Sequence, residues 1–247
     1  MNGVDISHYQ TGLTIRQIRD AGNAFAVIKL TEGARLVDSA AFGFYREAYE
    51  LGFPLGCYCY SHARDADEAA AEAAFLLDTL RGFPMPCGIF LDMEAPEQLA
   101  LSHDGLIAVV RAWCAAIAER GYLPGVYGSA GTLWAKLSPD ELPEGCLVWI
   151  AKWSGTPPAI ACDLWQTGES GRIAGYGGNV DTDEVRSARF RALVERAAGA
   201  ERAPDASIMV LQLVLHYNGC WDTVDGIGSA EFFSALRAFT ERLEGER

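Results

Sequence analysis

The chain has 247 residues, 50% of them hydrophobic and 21% charged, which is the profile of a soluble globular protein with room for one large domain or a domain plus a small appendage. Its 20 Lys and Arg stand against 33 Asp and Glu, and the formal charge of −13, with no basic stripe to offset it, excludes nucleic acid as a partner. No apolar run approaches the roughly 18 residues of a membrane span, and no basic or apolar leader precedes the first strand-like segment, so neither membrane insertion nor signal-peptide export is expected.

In chain order, Gly3-Val4-Asp5-Ile6 reads as a first short strand. A phrase then recurs: a helical pattern, a Gly that stops it in the left-handed region, and a short apolar run. The stops are Gly22, Gly52, Gly82 and Gly121, and the strands expected near them are Phe25 to Leu30, Leu55 to Tyr60, Cys87 to Leu91 and Leu123 to Tyr127. Asp65-x-x-Glu68 has the spacing of a capping box that opens an Ala-rich helix running to about Arg81. Ser102 or Asp104 opens the next helix, which runs to Arg120. Later strands are expected at Cys146 to Ala151, Cys162 to Gln166 and Asn179 to Asp181, followed by a helix near Asp183 to Ala198.

The stretch Gly88-Ile89-Phe90-Leu91-Asp92-Met93-Glu94-Ala95-Pro96 carries the chemistry. A buried strand ends there in two carboxylates two residues apart. Residues i and i+2 of a strand share a side, so Asp92 and Glu94 stand together and Met93 faces away. Close like charges push one carboxyl toward its protonated form, which makes it a candidate acid. The plainer alternative is a strand end dipping into solvent.

Seven or eight strands alternating with helices call for parallel βαβ units, in a closed barrel or a doubly wound sheet. No Gly-rich phosphate loop follows any strand, so no nucleotide cofactor is expected and the barrel is favoured. In such a barrel the strands' C-terminal ends form the site. Asp5, Lys29 and Glu32, Tyr58 and Tyr60, Asp92 and Glu94, and Asp181 with Asp183 are expected there, with Tyr127, Trp149, Trp153 and Trp165 as aromatic walls. An acidic floor with aromatic walls suits a polyhydroxylated, uncharged substrate. The seven cysteines are odd in number and sit mostly in apolar runs, and Cys57-x-Cys59 is not a metal or redox spacing, so no metal is expected.

Gly3-Val4-Asp5-Ile6-Ser7, Ile28-Lys29-Leu30-Thr31-Glu32-Gly33, Gly56-Cys57-Tyr58-Cys59-Tyr60-Ser61, Phe90-Leu91-Asp92-Met93-Glu94, Gly125-Val126-Tyr127, Trp149-Ile150-Ala151-Lys152-Trp153, Leu164-Trp165-Gln166 and Asn179-Val180-Asp181 follow one another in the order of a known family. Together they resemble the glycoside hydrolase family 25 lysozymes, over residues 2 to about 190. The resemblance implies an irregular (β/α) barrel of the TIM type that hydrolyses the β-1,4 bond from N-acetylmuramic acid to N-acetylglucosamine in bacterial peptidoglycan. It implies Glu94 as general acid, Asp92 as the residue that helps hold its proton, and Asp5 and Asp181 as the other active-site carboxylates. Tyr58, Tyr60, Tyr127, Trp153, Gln166 and Lys29 match positions that line the family's groove. Two departures stand out: Cys59 where many members carry His, and Asp183 where Asn is common. His8 and His62 read as groove-edge or packed residues rather than bases.

Beyond a catalytic domain of residues 1–198, residues 199–207 read as a linker. Residues 208–247 form a small helical appendage. Its order of leucine-rich helix, Val224-Asp225-Gly226, then Phe232-x-x-x-Leu236-x-x-Phe239 resembles the small helical peptidoglycan-binding domain of wall hydrolases. The alternative is a helical hairpin that docks on the barrel or pairs two chains. For the whole chain the alternatives are a carbohydrate-binding protein without turnover and a barrel hydrolase of chitin-like polymers. Without an export signal, the reading is of a phage endolysin made in the cytoplasm and acting on the wall after release.

Overall fold

The computed structural model describes residues 1–199, 206–222, 235–236, 238–239 and 242. They fall in two compact units, Met1–Gly199 and the C-terminal part from Ala200 to Arg247. Among the described residues, no helix is long and apolar enough to cross a membrane.

The first unit is a barrel of eight strands. In chain order the strands are β1 (Asn2–Ile6), β2 (Phe25–Glu32), the two-residue spur β3 (Leu36–Val37), β4 (Leu55–Tyr60), β5 (Ile89–Asp92), β6 (Pro124–Ser129), β7 (Leu147–Ala151), β8 (Leu164–Gly171) and β9 (Val180–Val185). The helices are α1 (Ile15–Asp20), α2 (Ala41–Leu51), α3 (Ala66–Leu80), α4 (Pro96–Leu99), α5 (His103–Glu119) and α6 (Ala188–Gly199). The pairing runs β1-β2-β4-β5-β6-β7-β8-β9 and returns to β1, with β3 hanging from β2. Seven of these strands are parallel, while β9 runs antiparallel to both β8 and β1.

The expectation of uniform βαβ alternation is therefore corrected. No α-helix joins β6 to β7, β7 to β8 or β8 to β9. The helix expected to begin near Asp183 begins at Ala188, because Asp181 to Val185 hydrogen-bonds on both edges as β9. The irregular barrel itself is as expected.

The helix ends follow most of their local signals. The four glycine stops all have positive φ. Asp65 caps α3 by accepting from the Glu68 amide at 2.9 Å, but Glu68 returns its carboxylate to the amide and guanidinium of Arg64, so only half of the capping box forms. Ser102, not Asp104, caps α5. Both helices bury residues at helical spacing: Ala69, Ala73, Leu76, Leu77 and Leu80 on α3, and Leu106, Val109, Val110, Trp113 and Ile117 on α5.

Inside the ring the deep layer is apolar and aromatic: Phe25, Val27, Phe90, Leu147, Trp149, Leu164 and Val185 are buried together. The Phe90 and Trp149 rings meet edge to face at 5.2 Å between centroids. Glycine makes this possible at two points. A Cβ on Gly3 would meet the Phe25 ring at 2.4 Å, and one on Gly125 would meet the Phe90 ring at 2.4 Å, each from the residue paired with it across the strands. Inward positions recur every second residue. The strands that supply Phe25 and Val27, Phe90, Leu147 and Trp149, and Leu164 to the core thus supply Lys29, Asp92, Ala151 and Gln166 one step nearer the rim.

In the C-terminal unit, α7 spans Ala206–Tyr217. Leu215 and Phe239 form a small core with Cys220, Trp221, Ala235 and Leu236. Residues 200–205 of the expected linker, and the Val224-Asp225-Gly226 and Phe232 positions of the wall-binding resemblance, lie outside the described residues.

Candidate active site

The inward positions open at the rim into a cleft of about 670 Å³, lined by Asp5, Lys29, Tyr58, Tyr60, Asp92, Glu94, Tyr127, Gln166 and Asp181 among others. Nine of the ten expected site residues therefore meet in one space. Trp153 is the tenth. It is 55% exposed and stands outside the lining, but its Nε1 donates to Gln166 Oε1 at 2.9 Å. Trp149 lines the cleft, whereas Trp165 does not: its Nε1 donates to the Lys152 carbonyl and Arg186 lies over its ring.

Chain direction explains the placing of Asp181. It was expected at the C-terminal end of the last strand, and it lies near the start of β9 instead. Since β9 is reversed, its beginning shares the rim with the C-terminal ends of the parallel strands, and Asp181 pairs directly with Asp5.

Gln166 is the hub. Its Nε2 donates to Asp5 Oδ2 at 2.8 Å and to Asp181 Oδ2 at 3.4 Å, and its Oε1 accepts from Tyr127 Oη at 3.0 Å and from Trp153. Two acceptors on one side and two donors on the other allow a single orientation of the amide. Glu94 lies beside the Tyr127 hydroxyl. One chain of contacts thus links Glu94 through Tyr127 and Gln166 to Asp5 and Asp181.

Burial raises every carboxyl in this set. Glu94 is raised by burial, with the neighbouring Tyr127 hydroxyl opposing. Asp92 is raised well above its ordinary range, first by burial and then by repulsion from Glu94, with Lys29 opposing. Like-charge repulsion, the cause expected from the sequence, is thus second to desolvation. Asp181 rises to about 6 through burial and repulsion from Glu169 and Glu94. Lys29 is held by Glu32 at 2.6 Å and lies 5.1 Å above the Tyr60 ring.

Several contributors were not visible in the sequence. Buried Glu72 accepts from Ser61 Oγ at 2.6 Å and from the His62 amide at 2.9 Å, while Gln98 donates to Ser61 Oγ at 2.7 Å. This network fixes the segment after β4, where His62 bridges Glu32 and Glu97 at the cleft edge. Asp38 holds His8 at 2.6 Å, outside the cleft lining. Cys59 is buried with its Sγ toward the Gly33 and Tyr60 carbonyls. The only signal for Glu72 was a carboxylate on the apolar face of a helix. Among the described residues, no cluster of three or more His, Cys, Asp or Glu is arranged to hold a metal ion.

A sequence model described as Glycosyl hydrolases family 25 matches residues 4–176. The chain belongs to that family. Similar proteins include the autolytic lysozyme of Clostridium acetobutylicum, 28% identical over 186 residues that cover 74% of this chain and 55% of that protein. Lysozyme M1 of Streptomyces globisporus is 26% identical over 216 residues, covering 80% of this chain and 72% of that one. The chain thus spans about half the length of the first of these relatives and nearly three quarters of the second. Among solved structures, the catalytic domain of endolysin ply40 from bacteriophage P40 of Listeria monocytogenes superposes with a TM-score of 0.69 at 21% identity, over 81% of this chain and 98% of that domain. The family 25 match ends before β9, so it does not reach Asp181.

Proposed function

We propose that the protein is a peptidoglycan hydrolase that cleaves the β-1,4 bond between N-acetylmuramic acid and N-acetylglucosamine. The observation that carries this reading is the meeting of Glu94, Asp92, Asp5 and Asp181 in one cleft, although they lie on three strands or their ends, far apart in the chain. Glu94 sits where burial favours its protonated form, and it hands its proton to the departing glycosidic oxygen. Asp92 is buried more deeply beside Glu94, and repulsion between the two raises Asp92; its proposed role is to help hold the proton on Glu94. Asp181, brought to about 6, is ionised near neutral pH and faces the positive charge that develops at the anomeric centre or on the substrate's N-acetyl group. Tyr58, Tyr60, Tyr127 and Trp153 offer faces and edges for the sugar rings, with Lys29 and Gln166 as polar contacts.

In Glu94→Gln the side chain keeps its shape and loses the transferable proton. Clearing of cell-wall suspensions should fall by about 10²- to 10⁴-fold while sedimentation with insoluble wall is retained. Retained clearing would rule out Glu94 as the acid, and loss of both properties would point to misfolding of the cleft.

For the C-terminal residues 208–247 the reading is attachment to the wall or pairing of two chains. Val210, Leu211, Val214 and Tyr217 on α7 are exposed, which supports a contact function. Removal of residues 200–247 should leave cleavage of soluble glycan fragments intact. It should weaken binding to insoluble wall if the segment attaches, or convert a dimer to a monomer in light scattering if it pairs. The setting we propose is that of a phage endolysin, and a membrane-lesion gene beside the coding sequence is its expected companion.

A further inference from the structure

One carboxyl group lies under the cleft and is not used above. Asp183 pairs with Gly3 across β9 and β1, two pairs deeper than Asp181 with Asp5 and so on the same face, and it is buried. Its Oδ1 accepts from Trp149 Nε1 at 2.8 Å. Its Oδ2 is fully buried and has no N–H or hydroxyl donor. The Asp183 carboxyl is nevertheless in hydrogen-bond contact with that of Asp5, whose Oδ2 already takes the Gln166 amide. Two ionised carboxylates have no hydrogen to share, so this contact requires a proton between them. An unpaired buried charged oxygen is the costly alternative.

We propose that Asp5 and Asp183 share one proton in a buried carboxyl–carboxylate hydrogen bond, and that Asp183 is through it a positioning residue for Asp5. The groups facing the pair fit this. Asp181 stands beside it on β9, Gln166 faces it from β8, Trp149 from β7, and the Tyr127 and Tyr58 hydroxyls feel its charge from β6 and β4. Burial raises both acids, Asp5 well above its usual range and Asp183 to about 8, and Asp181 adds repulsion to each. One proton removes one charge from a floor that would otherwise hold three adjacent anions, and it leaves Asp181 as the anion facing substrate. Asp5 is thereby clamped on both sides, by Gln166 and by Asp183.

The inference rests on the reading of Asp5 as an active-site carboxylate, and its test separates from that reading. In Asp183→Asn the amide oxygen still accepts from Trp149 and the amide N–H donates to Asp5, so the clamp survives without the proton. Infrared difference spectra of the full-length protein near neutral pH, wild type against Asp183→Asn, should show loss of one protonated-carboxyl C=O band. With no substrate present, this outcome is independent of peptidoglycan hydrolysis. Turnover gives the second measurement: kcat should stay within about twofold in Asp183→Asn and fall about tenfold or more in Asp183→Leu, with KM little changed in both. An infrared difference without a protonated-carboxyl band would overturn the shared proton, and equal turnover of Asp183→Asn and Asp183→Leu would overturn the positioning role. If Asp183→Leu does not fold, the infrared comparison decides alone.

Discussion

At the scale of single residues, the site depends on polar groups whose orientation is forced. Gln166 is the clearest case, because its four contacts divide into donors and acceptors. Gln166→Glu keeps the shape and replaces the N–H donor with another acceptor, so Asp5 and Asp181 are repelled rather than held. Displacement of that kind costs on the order of 10²-fold in turnover near neutral pH. The loss should shrink in acid, where the new carboxyl is protonated and donates as the amide did. A pH series of kcat/KM checks this, and an equal loss at every pH would contradict it. A stability consequence follows from the same raised carboxyls. Each is protonated in the folded state at a pH where the unfolded chain ionises it. Their contribution is fully present below the unfolded value near 3.8 and is lost as pH rises, for Asp181 through about 6 and for Asp183 through about 8.

Elements show where the sequence was legible and where it was not. Four of the strands read closely because each is a short apolar run after a glycine stop. Leu55–Tyr60 was expected and found with the same bounds, and Phe25 begins β2 as expected. Asp92 and Glu94 were legible because a two-residue period needs only local geometry. The reversal of β9 was not legible: direction is set by which neighbours it pairs with, and nothing in Asn179-Val180-Asp181 encodes β1 and β8 as partners. The same reason hid Glu72 and Asp163. Asp163 accepts from the Val148 amide, Ser187 and Arg189, and so ties the β7–β8 turn to the start of α6 across sequence distances that periodicity does not reach. Trp153 and Trp165 were placed by proximity to strand ends, which fixes the rim but not the side-chain direction. Packing supplies a test at this scale. Gly125→Ala puts a methyl group into the Phe90 ring, which is itself wedged against Trp149, so the barrel should lose about 1–3 kcal/mol in denaturant melts. An unchanged midpoint would show that the Phe90 ring moves aside freely.

Over the whole molecule, barrel closure makes the cleft. Asp5 and Asp181 come from opposite ends of the first unit and meet only because β9 closes the ring onto β1. The same ring is filled below with aromatic side chains, which take the carboxyls out of water and raise them together. In the proposed function, an acid that keeps its proton beside an anion that does not is the chemical content of that arrangement. The measurement that tests the account most directly is the identity of the sugar at the new reducing ends when purified peptidoglycan is digested, with Glu94→Gln as the blank. The account predicts reduced muramic acid after borohydride treatment, absent with the variant. N-acetylglucosamine at the new reducing ends, or muramic acid produced equally by the variant, would contradict it.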